Sequence, residues 1–261
     1  MNFKPKYSAH LGYLFTEVEF EKRFVLAASS GFSAVEAPSP YAVPATEMAE
    51  WLKRIELPYV QFGLKSGNAA AGEKGIAILP NRRAEFKASV AEGLDYAETI
   101  GVKMLHAMAG VMPQQQRTNE HQDCYLENLN YAATQAEQRG IQIIVEAMNP
   151  VSVPNYYLST AAESAAVIKQ VGHKNIGLLL DIFHTVSVGD DPIATIHQYA
   201  DIISHIHIAD VPNRHEPGSG TIDFTAVRQA LAEINYEGFI GCEYTPAGET
   251  IAGLNWLKLH C

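Results

Sequence analysis

The sequence is poor in cysteine and has no long apolar run. Its three cysteines, Cys124, Cys242 and Cys261, lie too far apart for a disulfide framework or a CxxC metal site, which favours a reducing compartment. The first residues, Met-Asn-Phe-Lys-Pro-Lys, lack the apolar core of a secretory signal. No apolar run approaches the roughly 18 residues needed to cross a bilayer. We therefore expect a cytoplasmic protein without a membrane partner.

Basic residues are also scarce relative to acidic ones. The chain has 19 lysines and arginines against 29 aspartates and glutamates, so its formal net charge is −10 at pH 7. Excess negative charge repels the phosphate backbone of nucleic acids and anionic lipid headgroups. Nucleic acid and membrane partners are thereby disfavoured, whereas a small molecule bound in a local site is compatible with this charge.

The length and composition of the chain are typical of one globular domain. Hydrophobic residues make up 47% of the 261 positions and charged residues 18%. No linker, charge block or Pro/Ser-rich boundary divides the sequence. We therefore predict a single domain over residues 1–261.

Short apolar runs alternate along the chain with amphipathic stretches that keep a period of about 3.6 residues. This alternation predicts parallel strands joined by helices, for example 83–100 closing on Gly101 and 119–139 closing on Gly140. Eight such repeats favour a closed (β/α)8 TIM barrel of the α/β class over the competing doubly wound open sheet. The predicted strands are 7–11, 33–37, 59–64, 103–108, 141–146, 176–181, 202–208 and 239–244.

Two predicted connections, 65–80 and 209–222, are longer than a barrel needs. They follow the third and seventh predicted strands, which places them at the C-terminal mouth of the barrel. Loops of this size often carry function, so we expect both to border the active site.

Four consecutive predicted strands carry a metal-binding side chain at or near their ends: Glu146, Asp181, His207 and Glu243. An ionisable group in a buried strand is costly unless it is paired or coordinated. Because the ends of parallel strands meet at one mouth of a barrel, the four residues predict a shared metal site. Three carboxylates and one imidazole suit Mg²⁺ or Mn²⁺, with Zn²⁺ or Co²⁺ as alternatives. Taken singly, each acid is equally compatible with a helix cap or a salt bridge.

Side-chain alternation assigns the neighbouring residues, since residues two apart on a strand share a face. If Glu243 points inward, Cys242 packs among the outer helices as a structural thiol. His205 and His207 share a face, and His207 lies nearer the mouth. We therefore predict His207 as the ligand and His205 as an interior-layer residue.

Six segments carry further information, namely 9–15 (AHLGYLF), 71–77 (AGEKGIA), 145–150 (VEAMNP), 181–184 (DIFH), 214–218 (RHEPG) and 241–244 (GCEY). As an ordered set they resemble the hydroxypyruvate isomerase family, within the xylose-isomerase-like TIM barrels. The likeness spans nearly the whole chain. Any one segment alone would be a weak signal, whereas the ordered set is specific.

The resemblance implies that Glu146, Asp181, the strand-seven residue and Glu243 bind a divalent metal. It also implies that Glu146 and Glu243 form a proton-transferring pair. His184 and Arg214 would then contact the substrate.

The chain departs from this family at two positions. It has His207 where hydroxypyruvate isomerases carry glutamine and the related keto-sugar epimerases carry histidine, and it has His10 where asparagine is expected. The segment 106–111 (HAMAGV) and the run 214–217 resemble the sister 2-oxo-tetronate isomerases equally well. The identity of the substrate therefore stays open.

The activity implied by this resemblance is aldose–ketose-type isomerisation of hydroxypyruvate to tartronate semialdehyde, or of a 2-oxo-tetronate. Loss of a proton beside a carbonyl gives an enediolate, whose negative charge a metal stabilises while the two glutamates move the proton. The alternatives are a ketose 3-epimerase of free sugars, an AP-endonuclease-like DNA repair protein and a non-catalytic binding protein. No motif indicates the oligomeric state, so a homo-oligomer stays open.

Several polar residues have two interpretations from sequence. His184 is expected in a loop beyond strand six, bound to substrate or merely structural. Arg214 forms a forked hydrogen bond to an acidic substrate or a surface salt bridge. Glu36 either supports the metal site or is a structural acid, and His10 and His106 line the pocket floor or lie in the core.

Overall fold

The computed structural model describes residues 3–259, and over that range it contains eight parallel β-strands with helices between them. The strands are β1 (Lys6–His10), β2 (Ala34–Glu36), β3 (Gln61–Gly63), β4 (Met104–His106), β5 (Gln142–Glu146), β6 (Ile176–Asp181), β7 (Ile203–Ile208) and β8 (Phe239–Cys242). The α-helices are α1 (Phe20–Ser29), α2 (Ala45–Ile55), α3 (Arg83–Ile100), α4 (Asn119–Glu137), α5 (Ala161–Val171), α6 (Ile182–Ser187), α7 (Pro192–Gln198), α8 (Phe224–Glu233), α9 (Thr250–Gly253) and α10 (Asn255–Leu259).

The strands form a nearly closed barrel in the order β2-β1-β8-β7-β6-β5-β4-β3. The remaining gap, between β2 and β3, is bridged by a parallel pair between Val35 and Tyr59. Here the Val35 amide donates to the Pro58 carbonyl at 3.0 Å, and the Val60 amide donates to the Val35 carbonyl at 2.9 Å. The predicted (β/α)8 barrel is confirmed, and the open-sheet alternative is wrong because the two ends of the sheet meet.

The helix ends follow the signals in the sequence. Helix α3 has the predicted bounds and ends at Gly101, which adopts the left-handed conformation at φ 78°. Helix α4 ends at Glu137 rather than at 139, and a turn carries the chain to Gly140, whose φ is 63°. The Thr160 hydroxyl accepts the Glu163 amide at 3.2 Å, which caps the N-terminus of α5.

The barrel interior and the helix layer are occupied as alternation predicted. Cys242 is fully buried in the hydrophobic core, and His205 is fully buried inside the barrel. Cys261 lies outside the described residues, as do both ends of the predicted domain 1–261, so that boundary stays a prediction. In the part of the chain that the structure describes, no helix has the length and apolar character needed to traverse a bilayer.

The two long loops lie at the C-terminal ends of β3 and β7. The loop after β7 is organised by the buried carboxylate of Asp210, which accepts four backbone N–H groups at 2.8 to 3.0 Å, those of Val211, Gly218, Gly220 and Ile222. A Cβ at Gly220 would lie 1.8 Å from the Val211 carbonyl oxygen, so the loop needs glycine there. This network fixes the segment that carries Arg214.

Candidate metal centre and active site

The four predicted ligands meet at the C-terminal mouth of the barrel. Glu146 and Asp181 end β5 and β6, His207 lies on β7, and Glu243 directly follows β8. One ligand atom from each residue lies within 4.8 Å of the other three. Strand register accounts for part of this convergence, because Asp181 pairs with His207 across β6 and β7. The Glu243 amide donates to the Ile208 carbonyl at 3.2 Å, which holds the fourth predicted ligand beside β7.

Three of the four, Glu146, His207 and Glu243, border a cavity of about 190 Å³. That volume is below the range of about 300–1,000 Å³ that is typical of pockets for drug-sized ligands, so the cavity suits a small molecule. Besides Glu146, His207 and Glu243, its polar lining consists of His10, Tyr13, Gln61, Lys74, His106, His184 and Arg214.

The two carboxylate oxygens of Asp181 have different partners. Oδ1 accepts the amides of Phe183 at 2.7 Å and His184 at 3.2 Å, which caps the N-terminus of α6. Oδ2 accepts a hydrogen bond from Nη2 of Arg214 at 3.1 Å. Because this cap starts a helix immediately after β6, His184 lies on α6, and the prediction that it sits in a loop is wrong.

His207 is held between two carboxylates, one on each side of its ring. Its Nε2 lies 3.4 Å from Oε1 of Glu36, and its Nδ1 lies 3.2 Å from Oε2 of Glu243. Glu36 is fully buried and also accepts a hydrogen bond at 2.8 Å from Nε2 of His205. A Cβ at Gly241 would lie 1.9 Å from Oε1 of Glu36, so glycine makes room for this acid. Glu36 thereby directs Nδ1 of His207 toward the four-residue cluster.

Arg214 places its guanidinium against the cluster. Its Nη2 donates to Oδ2 of Asp181 at 3.1 Å and also contacts Oε2 of Glu243, while its Nε donates to the Glu243 carbonyl at 3.1 Å. Its Nη1 lies 3.3 Å from Nε2 of His184. Arg214 adopts a left-handed φ of 57°, an unusual conformation for a residue other than glycine, and one that clusters at functional sites. The guanidinium therefore bridges two of the four predicted ligands.

The two glutamates of the cluster lie in opposite electrostatic environments. Burial, together with the negative charge of Glu243, raises the pKa of Glu146 well above its usual range. Burial also opposes ionisation of Glu243, but Arg214 and His207 outweigh it and hold the pKa of Glu243 well below its usual range. The arrangement therefore pairs one carboxyl that holds its proton with one that has lost it.

The histidines around the cavity differ in charge for the same reasons. Burial lowers the pKa of His10 and of His184, and it lowers the pKa of His106 to about 3. Burial would also lower the pKa of His207, but the carboxylates of Glu243 and Glu36 outweigh it and raise that pKa well above its usual value. His10, His106 and His184 are therefore neutral at pH 7.

The ring of His184 is oriented by Asn149. The Asn149 backbone amide can only donate, and it lies 3.2 Å from Nδ1 of His184. Nδ1 is therefore an acceptor, while Nε2 lies 3.6 Å from Oδ2 of Asp181 and 3.3 Å from Nη1 of Arg214, which can also only donate. His184 also lines the cavity, so its ring lies within reach of a bound small molecule.

Comparison with known proteins places this architecture in a family. A family model described as a xylose isomerase-like TIM barrel matches residues 24–260, which is most of the chain. The chain belongs to this family. The predicted resemblance is thereby confirmed for the fold.

Two curated relatives of this xylose isomerase-like barrel are similar to it over nearly its whole length. A 2-oxo-tetronate isomerase of Cupriavidus necator is 37% identical over 254 residues, which cover 97% of this chain and 98% of the relative. The hydroxypyruvate isomerase of Escherichia coli is 34% identical over 252 residues, with coverage of 97% and 98%. Both names that the sequence segments suggested are therefore found among full-length relatives.

Solved structures agree with this fold. A Brucella melitensis protein described as AP endonuclease, family 2, superposes with a TM-score of 0.96 at 35% identity, covering 98% of this chain and 99% of that chain. A D-psicose 3-epimerase of Clostridium cellulolyticum has a TM-score of 0.77 at 21% identity, covering 95% and 89%. The second likeness shows the shared barrel alone.

Some cavity residues of this xylose isomerase-like barrel were not assigned from sequence. Tyr13 and Lys74 line the cavity, and both fall within segments that carried the family resemblance. Their inclusion in those segments was the only sequence signal, since neither has metal-binding chemistry. His10 and His106, which had two interpretations, both line the cavity while being almost fully buried.

Proposed function

We propose that this chain is a metal-dependent isomerase of a small hydroxy-carbonyl acid, either hydroxypyruvate or a 2-oxo-tetronate. The observation that carries the proposal is that ligand atoms of Glu146, Asp181, His207 and Glu243 lie within 4.8 Å of one another, beside a small cavity that Glu146, His207 and Glu243 line. Full-length relatives named hydroxypyruvate isomerase and 2-oxo-tetronate isomerase support the class of reaction.

The donor set fits a divalent cation. Oε1 of Glu146 is buried without a hydrogen-bond partner among the described residues, a costly state that coordination would relieve. The guanidinium of Arg214 bridges Asp181 and Glu243, so these acids already share one positive group. Oxygen-rich donors with one imidazole favour Mg²⁺ or Mn²⁺ over Zn²⁺ or Co²⁺. When bound, such a cation stabilises the negative oxygens of an enediolate.

A second group of donors, formed by Glu36, His205 and His207, fits a supporting role better. Glu36 and His205 are fully buried and do not line the cavity. Both oxygens of Glu36 already face ring nitrogens of the two histidines. A cation in that group would be remote from any substrate in the cavity, so we assign these residues to positioning His207.

The chain's own residues supply the proton transfer. We assign Glu146 and Glu243 as the pair in which one carboxylate removes a proton from carbon beside the carbonyl and the other carboxyl returns one to the adjacent carbon. Their pKa values are pushed in opposite directions, as expected of an acid and a base that work together. The direction of the reaction decides which glutamate acts first. His184 and Arg214 both line the cavity, and we assign them to contacts with the substrate.

Two alternatives have a specific basis but less support. A ketose 3-epimerase needs the same proton transfer, and D-psicose 3-epimerase shares the barrel, but only at 21% identity. An AP endonuclease is suggested by the description of the Brucella protein. A net charge of −10 and a cavity of about 190 Å³ both disfavour binding of a DNA duplex.

A substrate panel tests the proposed function directly. Protein treated with a chelator and then with Mn²⁺ or Mg²⁺ is incubated with hydroxypyruvate, a 2-oxo-tetronate and a neutral ketose, and products are followed by proton NMR in deuterium oxide. We expect isomerisation of an acid, with deuterium incorporated at the exchanged carbon, only after metal is restored. Metal-loaded protein that is inert toward every acid, or that only epimerises the ketose, would contradict the proposal.

We expect Glu36→Gln to weaken Mn²⁺ binding by about 10- to 100-fold, the usual effect of losing a partner of a metal-bound histidine. Glutamine keeps the volume of the side chain but removes the charge that fixes His207. Isothermal titration calorimetry on chelator-treated protein measures the effect. Glu98→Gln, an exposed glutamate on α3 that pairs with Arg139 at 3.0 Å, is the control. Equal Mn²⁺ affinity in Glu36→Gln and wild type would refute the positioning role.

A further inference from the structure

The segment 71–77 carried the family resemblance, yet neither the metal site nor the glutamate pair uses it. It lies in the long loop after β3 and presents Lys74 to the cavity that holds Glu146 and Glu243. Neither the proposed metal binding nor the proposed proton transfer gives this lysine a role.

The backbone on both sides of Lys74 is held by specific contacts. The Gly75 amide donates to the Ser66 carbonyl at 3.0 Å, and Gly75 pairs with Ala109 in an antiparallel bridge. Gly75 has a φ of 106°, and a Cβ there would lie 2.1 Å from the Met108 carbonyl oxygen, so the loop requires glycine. This close approach joins the loop after β3 to the segment after β4.

Glu73 anchors the backbone on the N-terminal side of Lys74. Its Oε2 accepts the Asn68 amide at 2.5 Å, and its Oε1 pairs with Nη1 of Arg82 at 2.6 Å. The residue after Gly75, Ile76, is buried in the core. Lys74 is therefore an exposed side chain on an anchored backbone, which is how a binding residue is commonly presented.

Among the described residues that line the cavity, Lys74 is a cation without a carboxylate partner. Arg214 is shared between Asp181 and Glu243. The cavity histidines each lie within 3.8 Å of a carboxylate of the four-residue cluster, namely His10, His106, His184 and His207. Among the residues between 3 and 259, Lys74 takes part in no ion pair or hydrogen bond, whereas Lys65 on the same loop pairs with Glu92 at 2.7 Å.

We propose that Lys74 binds the carboxylate of the substrate and makes the site selective for small acids over neutral ketoses of the same size. This assignment rests on the proposed isomerase function. An ammonium group at the cavity wall gives a charge-assisted hydrogen bond to an acid and none of comparable strength to a hydroxymethyl group. It would place the reacting carbons, rather than the carboxylate, beside Glu146 and Glu243.

Binding of unreactive ligands tests the assignment without relying on turnover. D-glycerate and its neutral counterpart glycerol are titrated into the metal-loaded wild type and into Lys74→Met, Lys74→Arg and Lys65→Met. We expect Lys74→Met to weaken D-glycerate binding on the order of 10- to 100-fold, the range for a hydrogen bond to a charged group, and to leave glycerol binding unchanged. Lys74→Arg should recover most of the affinity, and Lys65→Met should match wild type.

Kinetics on hydroxypyruvate complete the test. Lys74→Met should raise KM by a similar factor while kcat changes by only a few-fold, since the lysine holds the substrate and moves no proton. D-glycerate binding that is equal in Lys74→Met and wild type, or that falls as much in Lys65→Met, would overturn the assignment. If no acid is turned over by wild type but D-glycerate binding still depends on Lys74, the isomerase proposal fails and the carboxylate site stands.

Discussion

Replacing Glu146 with glutamine is expected to lower kcat by about 10²- to 10⁴-fold, and Glu243→Gln should do the same, because general acid–base catalysis contributes that much to rate. Glutamine keeps the shape of glutamate and one oxygen but can neither accept nor deliver the proton. Initial rates on the acid that the wild type isomerises, measured at saturating Mn²⁺, give the effect.

The metal content of both variants has to be followed in parallel, since the same residues are proposed ligands. Glu98→Gln again serves as the control, because this glutamate is half exposed and lies on the outer helix α3. Wild-type rates in both Glu146→Gln and Glu243→Gln would remove the proton-transferring pair from the mechanism. Loss in one variant alone would leave a single acid–base residue.

Asp181→Asn should abolish tight Mn²⁺ binding while preserving the fold. The asparagine Oδ1 can still accept the amides of Phe183 and His184 and cap α6, but the side chain loses the negative oxygen that faces Arg214. Because a direct ligand is removed, the loss of Mn²⁺ affinity should exceed the roughly 10- to 100-fold seen when an outer partner is lost. Calorimetric titration with Mn²⁺ and thermal unfolding of the same samples measure both quantities.

A matched control separates the capping role from the metal role. Asp191 caps α7 in the same way, accepting the amides of Ile193 at 2.8 Å and Ala194 at 3.4 Å, but it does not belong to the four-residue cluster. Asp191→Asn should therefore leave Mn²⁺ affinity unchanged. Unaltered affinity in Asp181→Asn, with its fold intact, would show that Asp181 is no ligand.

The barrel and its ligand set could be predicted because both follow from local patterns. The eight strands come from short apolar runs that follow one another along the chain. Parallel strands in a barrel bring their C-terminal ends to one mouth. Acids at the ends of β5 and β6 therefore had to meet. His207 was chosen over His205 by alternation, and the structure places His205 inside the barrel against Glu36.

Features that depend on one atom or on distant contacts were beyond the sequence. The helix that carries His184 exists because Oδ1 of Asp181 caps it, and an aspartate at a strand end gives no sign of which oxygen will be used. The partners of Arg214 depend on a loop folded around the buried carboxylate of Asp210. The position of Lys74 depends on a bridge between loops that follow different strands.

The bounds of the strands also could not be fully predicted from the sequence. The third strand was predicted over 59–64 but pairs with β4 only over Gln61–Gly63, while Tyr59 pairs on the other side with Val35. Apart from Gln61 and Gly63 the run is apolar, so composition could not reveal that its two ends have different neighbours. The two sets of pairing partners arise from closure of the barrel, which brings together strands that are distant in the sequence.

The most direct test of the account is an anomalous diffraction map from crystals of the protein grown with Mn²⁺. The account predicts one strong peak within coordinating distance of Glu146, Asp181, His207 and Glu243. A map with no peak there, or with the ion bound instead by Glu36 and His205, would contradict it.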